Sequence, residues 1–216
     1  MLTVTGINKN FGKKEILRGF SYQFPDQGII CLFGPSGCGK TTLMRIFAGL
    51  ESPDSGDVTH CEKLSMVFQE DRLLPWLTAE ENIRIPCGSL TKEDAERFLS
   101  AVGLSGEGDK YPHELSGGMK RRVSIARALA YGGDIMLLAE PFRGLDRTVK
   151  ELVMQQVLAQ SREKLVLLVT HDREEAFLLS DTILFLQGGP LHITDALTLS
   201  GKSPSEREEL LRESLL

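Results

Sequence analysis

Three stretches of the chain are apolar without a break and are bounded by turn-forming or polar residues: IICLF at 29–33, IMLLA at 135–139 and LVLLV at 165–169. Unbroken runs of this length fit strands buried on both faces, as in a parallel sheet. SMVFQ at 65–69 reads as a fourth strand. Near the N-terminus the pattern changes. Leu2 and Val4, then Phe20, Tyr22 and Phe24, alternate with polar residues, which predicts half-exposed antiparallel strands. TILFL at 182–186, then Gly188-Gly189-Pro190, then LHIT predicts a hairpin.

Helical spacing fills the intervals. Leu43, Ile46, Phe47 and Leu50 share one face of a helix starting near Lys40. Thr91 and Asp94 give a capping-box start, followed by a stripe of Ala95, Phe98, Leu99 and Val102. Val123, Ile125, Ala126 and Leu129 mark another helix, and Val149, Leu152, Val153 and Val157 a further one. Strands alternating with helices imply an α/β core. The stretch from about 70 to 130 shows no strand pattern and reads as a helical lobe inserted between core strands. The tail SPSEREELLRESLL predicts a polar, solvated terminal helix.

Composition narrows the function classes. The chain has 216 residues, 41% hydrophobic and 25% charged, which is ordinary for a folded domain. Its 25 Lys+Arg against 30 Asp+Glu give a net charge of −5, which argues against a sequence-independent grip on nucleic acid. No apolar run approaches the roughly 20 residues that span a bilayer. The opening MLTVTGINKN lacks the basic and apolar segments of a secretory signal. Cys31, Cys38, Cys61 and Cys87 form no CxxC pair. They read as thiols of a reducing cytosol, with a redox or metal role as the alternative.

The chemistry is concentrated in two glycine-rich turns. Residues 34–42 read GPSGCGKTT, matching G-x-x-x-x-G-K-[ST] between a strand and an amphipathic helix. Glycines let backbone N–H groups approach a phosphate without a Cβ in the way. The helix N-terminus adds positive potential. Lys40 is placed to neutralise the β/γ-phosphates and the Thr41 hydroxyl to meet Mg²⁺. LSGGMKRR at 115–122 opens a second helix with an anion-ready turn. Alone, that turn reads equally as an ordinary N-cap.

Taken in order, GPSGCGKTT, Gln69, LSGGMKRRVSIARAL, LLAEPFRGLD at 137–146 and VTHD at 169–172 resemble the ATP-binding subunits of ABC transporters over nearly the whole chain. The resemblance implies a P-loop NTPase core with a mostly parallel sheet, an N-terminal antiparallel β subdomain and an inserted α-helical lobe. It implies one domain over 1–216, with an ATP-binding core at 1–69 and 130–216 and a helical signature subdomain at 70–129. Gly34, Pro35, Ser36, Gly37, Cys38, Gly39, Lys40, Thr41 and Thr42 would wrap the phosphates. Phe11 would stack on adenine, with a core or strand-edge aromatic as the alternative. Gln69 would contact Mg²⁺ and the attacking water. Ser116, Gly117 and Gly118 would close over the γ-phosphate of ATP held by the other protomer. Glu140 would act as general base, Asp146 would belong to the D-loop, and His171 would contact the γ-phosphate.

The same resemblance implies ATP and Mg²⁺ as ligands. The implied partners are transmembrane permease subunits, a second copy or a second ATPase subunit and, indirectly, a solute-binding protein. The implied location is cytoplasmic, on the inner face of the cell membrane. QEDRLLPWLT at 69–78 looks like importer subunits for nitrate, sulfonate or related solutes. Leu73, Leu74 and Trp76 within it read as the small core of the helical lobe, or as the lining of a groove for a partner helix.

One position departs from the family pattern. The residue before Glu140, where an Asp ordinarily helps hold Mg²⁺, is Ala139. Asp134 lies at the other end of the strand, roughly 15 Å away at about 3.3 Å per residue. A methyl group cannot orient a metal-bound water, so hydrolysis is expected to be slow while ATP binding persists. Three functions follow: the energising subunit of an importer, a nucleotide-gated binding module with little ATPase activity, or a soluble ATPase acting on ribosomes or DNA. The third predicts tandem modules, a coiled-coil insertion or a basic surface, none of which is visible in the sequence.

Overall fold

The computed structural model describes residues 2–59 and 63–213. Contacts gather the chain into two compact units, residues 1–62 with 161–216, and residues 63–160.

In the first unit, strands β1 (Thr3–Phe11) and β2 (Lys14–Gln23) pair antiparallel, with Val4 opposite Tyr22 and Ile7 opposite Phe20. The alternation read from the sequence follows: Val4, Ile7 and Phe20 are buried while their neighbours meet solvent. A second, parallel group centres on β3 (Gly28–Phe33). It is flanked by β7 (Leu165–Thr170) and β8 (Thr182–Gln187), both parallel to it. Ile29–Leu32 and Leu165–Thr170 are buried throughout, as unbroken apolar runs require. β8 turns back into β9 (His192–Thr198) as the expected antiparallel hairpin.

Between β3 and the next strand lies α1 (Lys40–Phe47). It ends sooner than its apolar stripe suggests. Gly49, at φ 67°, turns the chain out of the helix. Leu50 is therefore not on the α1 face and is 47% exposed. A strand absent from the sequence reading follows: β4 (Ser55–Thr59) adds to β1, with Val58 opposite Val4.

The terminal helix also departs from expectation. Helix α6 (Arg173–Leu179) is followed, after β9, by α7 (Pro204–Glu213). α7 is not merely solvated. Leu210 and Leu211 pack on a cluster of Cys31, Ala176, Phe177, Ile183 and Leu199. Arg207 donates to the carbonyls of Phe177, Leu178, Ser180 and Leu199. The last three residues of the predicted helix lie outside the described residues, as does Cys61. Cys31 and Cys38 are buried.

In the second unit, β5 (Leu64–Val67) and β6 (Ile135–Ala139) pair in parallel. Between them, α2 (Ala79–Arg84), α3 (Lys92–Ala101) and α4 (Gly117–Tyr131) are joined by turns, with no strand among the described residues. Thr91 and Asp94 form the predicted capping box, and Thr78 with Glu81 forms another. α5 (Arg147–Ser161) follows β6 and buries Val153, Met154 and Val157. The segment before α2 is held by Asn82, which accepts from the Leu74 N–H and donates to the Leu74, Leu77 and Thr78 carbonyls. Leu73 and Leu74 are half-buried, but Trp76 is 69% exposed, so it is not part of a lobe core. Among the described residues no helix is long and apolar enough to cross a membrane.

Candidate nucleotide site

The glycine-rich loop at 34–42 follows β3 and runs into α1. Two of its glycines, Gly34 and Gly39, are required by close approach. A Cβ on Gly34 would stand 2.3 Å from the Leu186 carbonyl oxygen. Gly39 has φ 116°, and a Cβ there would stand 2.9 Å from Ile16 Cγ2. The Leu43 N–H bonds the Gly39 carbonyl at 3.0 Å, so the N–H groups of Lys40, Thr41 and Thr42 precede the first intrahelical bond. Gly39 supplies no side-chain cap. These donors are what an anion at a helix start uses.

Lys40 is 8% exposed, and its ammonium donates to the carbonyls of Gly34 at 2.7 Å and Pro35 at 2.8 Å. It also reaches the Cys38 thiol sulfur at 3.8 Å, a weak acceptor, so the charge stays within the loop that it braces. Pro35, Ser36, Gly37 and Thr41 are exposed, Thr42 is half-buried and Cys38 is buried. The loop fits a nucleotide phosphate in its donors and in the room its glycines leave.

His171 leaves β7 at the same level. Phe33 of β3 is opposite Thr170 of β7, so Gly34 and His171 both emerge at the carboxyl ends of neighbouring parallel strands, where α/β sheets hold ligands. His171 is exposed. The turn is fixed from below: buried Thr170 donates its hydroxyl to Glu175 and accepts from the Asp172 N–H. Asp172 in turn caps α6. Phe11, at the end of β1, is 50% exposed and is not a core residue. The Lys9 ammonium lies 5.1 Å from the centre of its ring, held there by Glu51 at 2.7 Å.

The other candidates lie in the second unit. Val67 of β5 is opposite Leu138 of β6, so Gln69 and Glu140 each stand two residues beyond the paired ends. Gln69 is exposed and Glu140 half-buried. Glu140 has φ 51°, in the left-handed region, which costs a non-glycine residue roughly 1–2 kcal/mol. Arg121 of α4 reaches both segments. It donates to the carbonyls of Phe68, Gln69 and Glu140, the last two at 2.9 Å, and lies 3.3 Å from Asp71 Oδ1. Burial pushes the Asp71 carboxyl up, against the pull of Arg121.

Ser116 caps α4, its hydroxyl accepting from the Met119 N–H at 3.3 Å. Ser116 and Gly117 are exposed. Gly118 faces the next loop: a Cβ there would stand 3.4 Å from the Gly144 carbonyl oxygen. Asp146 is exposed and caps α5 through the Val149 N–H at 3.1 Å.

Ala139 ends a fully buried strand and is itself 6% exposed. Asp134 precedes the opposite end of that strand. Among the described residues no group of three or more His, Cys, Asp or Glu could hold a metal ion. Of the two residues expected to meet Mg²⁺, Thr41 presents a hydroxyl oxygen in the first unit and Gln69 an amide oxygen in the second, and both are exposed.

Phe11, Gly34–Thr42 and His171 thus belong to one unit, and Gln69, Ser116–Gly118, Glu140 and Asp146 to the other. Sequence reasoning missed Arg121. The signal was a cation at a position that helical spacing from Gly118 to Ile125 puts on the buried stripe of α4.

The ABC transporter family matches residues 17–143. The aliphatic sulfonates import ATP-binding protein SsuB 3 of Paraburkholderia xenovorans is 38% identical over 217 residues, covering 99% of this chain and 87% of that protein. The bicarbonate transport ATP-binding protein CmpD of Synechocystis sp. is 35% identical over 235 residues, covering 98% and 83%. A dimeric ATP-binding cassette in a post-hydrolysis state, bound to ADP and Pi, superposes with a TM-score of 0.84 at 29% identity, covering 93% of this chain and 100% of that one.

Proposed function

The chain belongs to the ABC transporter family, and on that premise we propose that it is the ATP-hydrolysing subunit that energises a membrane importer. One observation carries the reading: two helices of this chain, α1 and α4, begin at glycine-bearing turns with exposed residues, one of them braced by the buried Lys40 ammonium. Two such anion-ready starts are what a nucleotide held between two protomers needs.

In this reading the loop from Gly34 to Thr42 grips the β/γ-phosphates of ATP and Phe11 stacks on adenine. The hydroxyl of Thr41 and the amide of Gln69 face Mg²⁺. When bound, Mg²⁺ neutralises charge on the phosphate oxygens. Glu140 accepts the proton of the attacking water, and His171 contacts the γ-phosphate. Ser116, Gly117 and Gly118 of a second copy, or of a paired ATPase subunit, close over that phosphate, with Asp146 in the adjoining D-loop. The work of these groups is positioning and charge neutralisation. Loss of the γ-phosphate removes the bridge and lets the pair open.

The core would comprise 1–69 and 130–216, and the helical signature subdomain 70–129. The opened and closed pair would drive permease subunits on the inner face of the cell membrane, fed by a solute-binding protein. The sulfonate and bicarbonate importers among the relatives support a small-anion solute. Ala139 supports a second reading, a nucleotide-gated binding module with slow turnover.

ATP turnover of the isolated chain and of the chain co-purified with its membrane partner separates the two readings. Lys40→Ala is expected to weaken ATP binding at least a hundredfold, measured with a fluorescent ATP analogue. Unchanged binding would remove the phosphate-loop assignment. Failure to recover any membrane protein with the full chain would remove the importer reading.

A further inference from the structure

α4 carries a buried cation that none of the assigned roles uses. Arg121 is 4% exposed and stands five residues after the Ser116 cap. Its guanidinium donates to the carbonyls of Phe68 and Gln69, which follow β5, and to that of Glu140, which follows β6. Asp71, two residues beyond Gln69, balances the charge at 3.3 Å. The partners therefore come from the two segments that bear the Gln69 and Glu140 side chains. A guanidinium is planar, always charged and carries five donors in a fixed fork, so it sets the direction of the carbonyls it holds as well as their distance. Direction matters at Glu140, whose φ of 51° is a conformation that a non-glycine residue keeps only when its surroundings impose it.

The start of the same helix is tied to a third segment. Gly118 packs against Gly144, where an added Cβ would come within 3.4 Å of the carbonyl oxygen. One rigid helix thus presents Ser116–Gly118 at its tip and holds the backbone of Gln69 and Glu140 one turn further on.

We propose that Arg121 is a positioning residue for ATP hydrolysis: it locks the Gln69 and Glu140 backbones to the signature helix, so that a shift of Ser116–Gly118 and the aim of those two side chains are one movement. The proposal rests on the hydrolytic reading given above. It explains why the position holds arginine. A lysine carries its three donors on a single nitrogen and cannot spread them across three diverging carbonyls as the two ends of a planar fork do. A glutamine amide has two donors and no charge for Asp71.

The test uses the full chain with Arg121→Gln and Arg121→Lys, followed by amide hydrogen exchange and ATP turnover. In Arg121→Gln, exchange is expected to rise at least tenfold in the peptides spanning 68–72 and 140–145, and to stay within twofold in β3 and β7. Turnover falls at least tenfold while the KM for ATP stays within threefold. Arg121→Lys gives intermediate values, and carries the test if the glutamine variant fails to fold. Combining Arg121→Gln with Gln69→Ala lowers turnover no further than threefold below the slower single variant, because both act on the same segment. A merely structural arginine would instead raise exchange evenly across 63–160, with losses that multiply in the double variant. An even rise, unchanged protection at both segments, or lost protection with turnover retained each overturns the positioning role alone. A parent chain without turnover, both isolated and beside its membrane partner, overturns the hydrolytic reading and the positioning role together.

Discussion

Ala139→Asp isolates the family's missing carboxylate. Position 139 is the last residue of β6 and is 6% exposed, directly before Glu140. Without a bound metal, a carboxylate at this buried position loses its hydration. Leaving a buried polar group unsatisfied costs about 1–3 kcal/mol, and more for a charged one. The variant should therefore unfold at lower urea than the parent in EDTA. MgATP offsets that cost. A carboxylate that orients a metal-bound water is worth about ten- to a hundredfold in metal affinity, or about 1.4–2.8 kcal/mol at 1.4 kcal/mol per factor of ten. Ligand linkage would return that amount as stability at saturating nucleotide.

Two measurements decide the matter. The variant's urea midpoint should lie below the parent's in EDTA, and MgATP should narrow the gap by about 1.4–2.8 kcal/mol. The Mg²⁺ concentration giving half-maximal turnover should fall ten- to a hundredfold, with a rise in kcat. Identical Mg²⁺ curves for parent and variant would refute the reasoning, because the methyl at 139 would then not limit metal binding. A drop in stability that MgATP does not narrow would refute it from the other side.

The remaining expectations test single geometric claims. Gly34→Ala places a Cβ 2.3 Å from the Leu186 carbonyl oxygen and should cost about 1–3 kcal/mol; an unchanged urea midpoint would show the loop is not constrained there. Ser116→Ala removes the α4 cap and should cost about 1 kcal/mol, with weaker ATP-dependent dimerisation in gel filtration. Ser116→Gly should cost only a few tenths of a kcal/mol in stability. Trp76→Ala removes a side chain that is 69% exposed, so stability should stay within about 0.5 kcal/mol while co-purification with the membrane partner falls. Full recovery of that partner would count against a docking role for Trp76.

Local pattern was enough wherever burial is continuous or a turn has its own chemistry. IICL within β3 and the whole of LVLLVT in β7 are buried, and Thr91 with Asp94 closes the capping box that their spacing announced. What escaped the sequence depends on a distant partner. β4 is SGDVT, largely exposed, with no apolar period of its own. It exists because β1 offers it a backbone edge, aided by the Asn8 side chain reaching Ser55. Leu50 continues a helical stripe on paper, but one glycine ends the helix before it. The docking of α7 needs Cys31, Phe177 and Leu199, which lie far apart in the sequence. Glu140 illustrates the limit best, because no spacing rule gives its left-handed backbone.

Three cations share one arrangement, and it bears on how charge should be read in this fold. Lys40 braces Gly34 and Pro35, Arg121 braces Phe68, Gln69 and Glu140, and Arg207 braces four carbonyls around the end of α6. Two of the three serve loops that leave the carboxyl ends of parallel strands. Such loops cannot close as hairpins, so their carbonyls need donors from elsewhere, and a cation from a neighbouring helix supplies several at once. Buried positive charge beside a glycine loop is therefore not in itself a phosphate site. The donor count decides. Carbonyls and Asp71 engage most of the Arg121 fork, whereas Lys40 holds the two carbonyls of Gly34 and Pro35 closely and reaches the Cys38 thiol only at 3.8 Å. A thiol accepts only weakly, so that third donor is the one a phosphate oxygen would take over, in a loop whose helix start adds N–H groups, and this separates the proposed binding lysine from the bracing arginine.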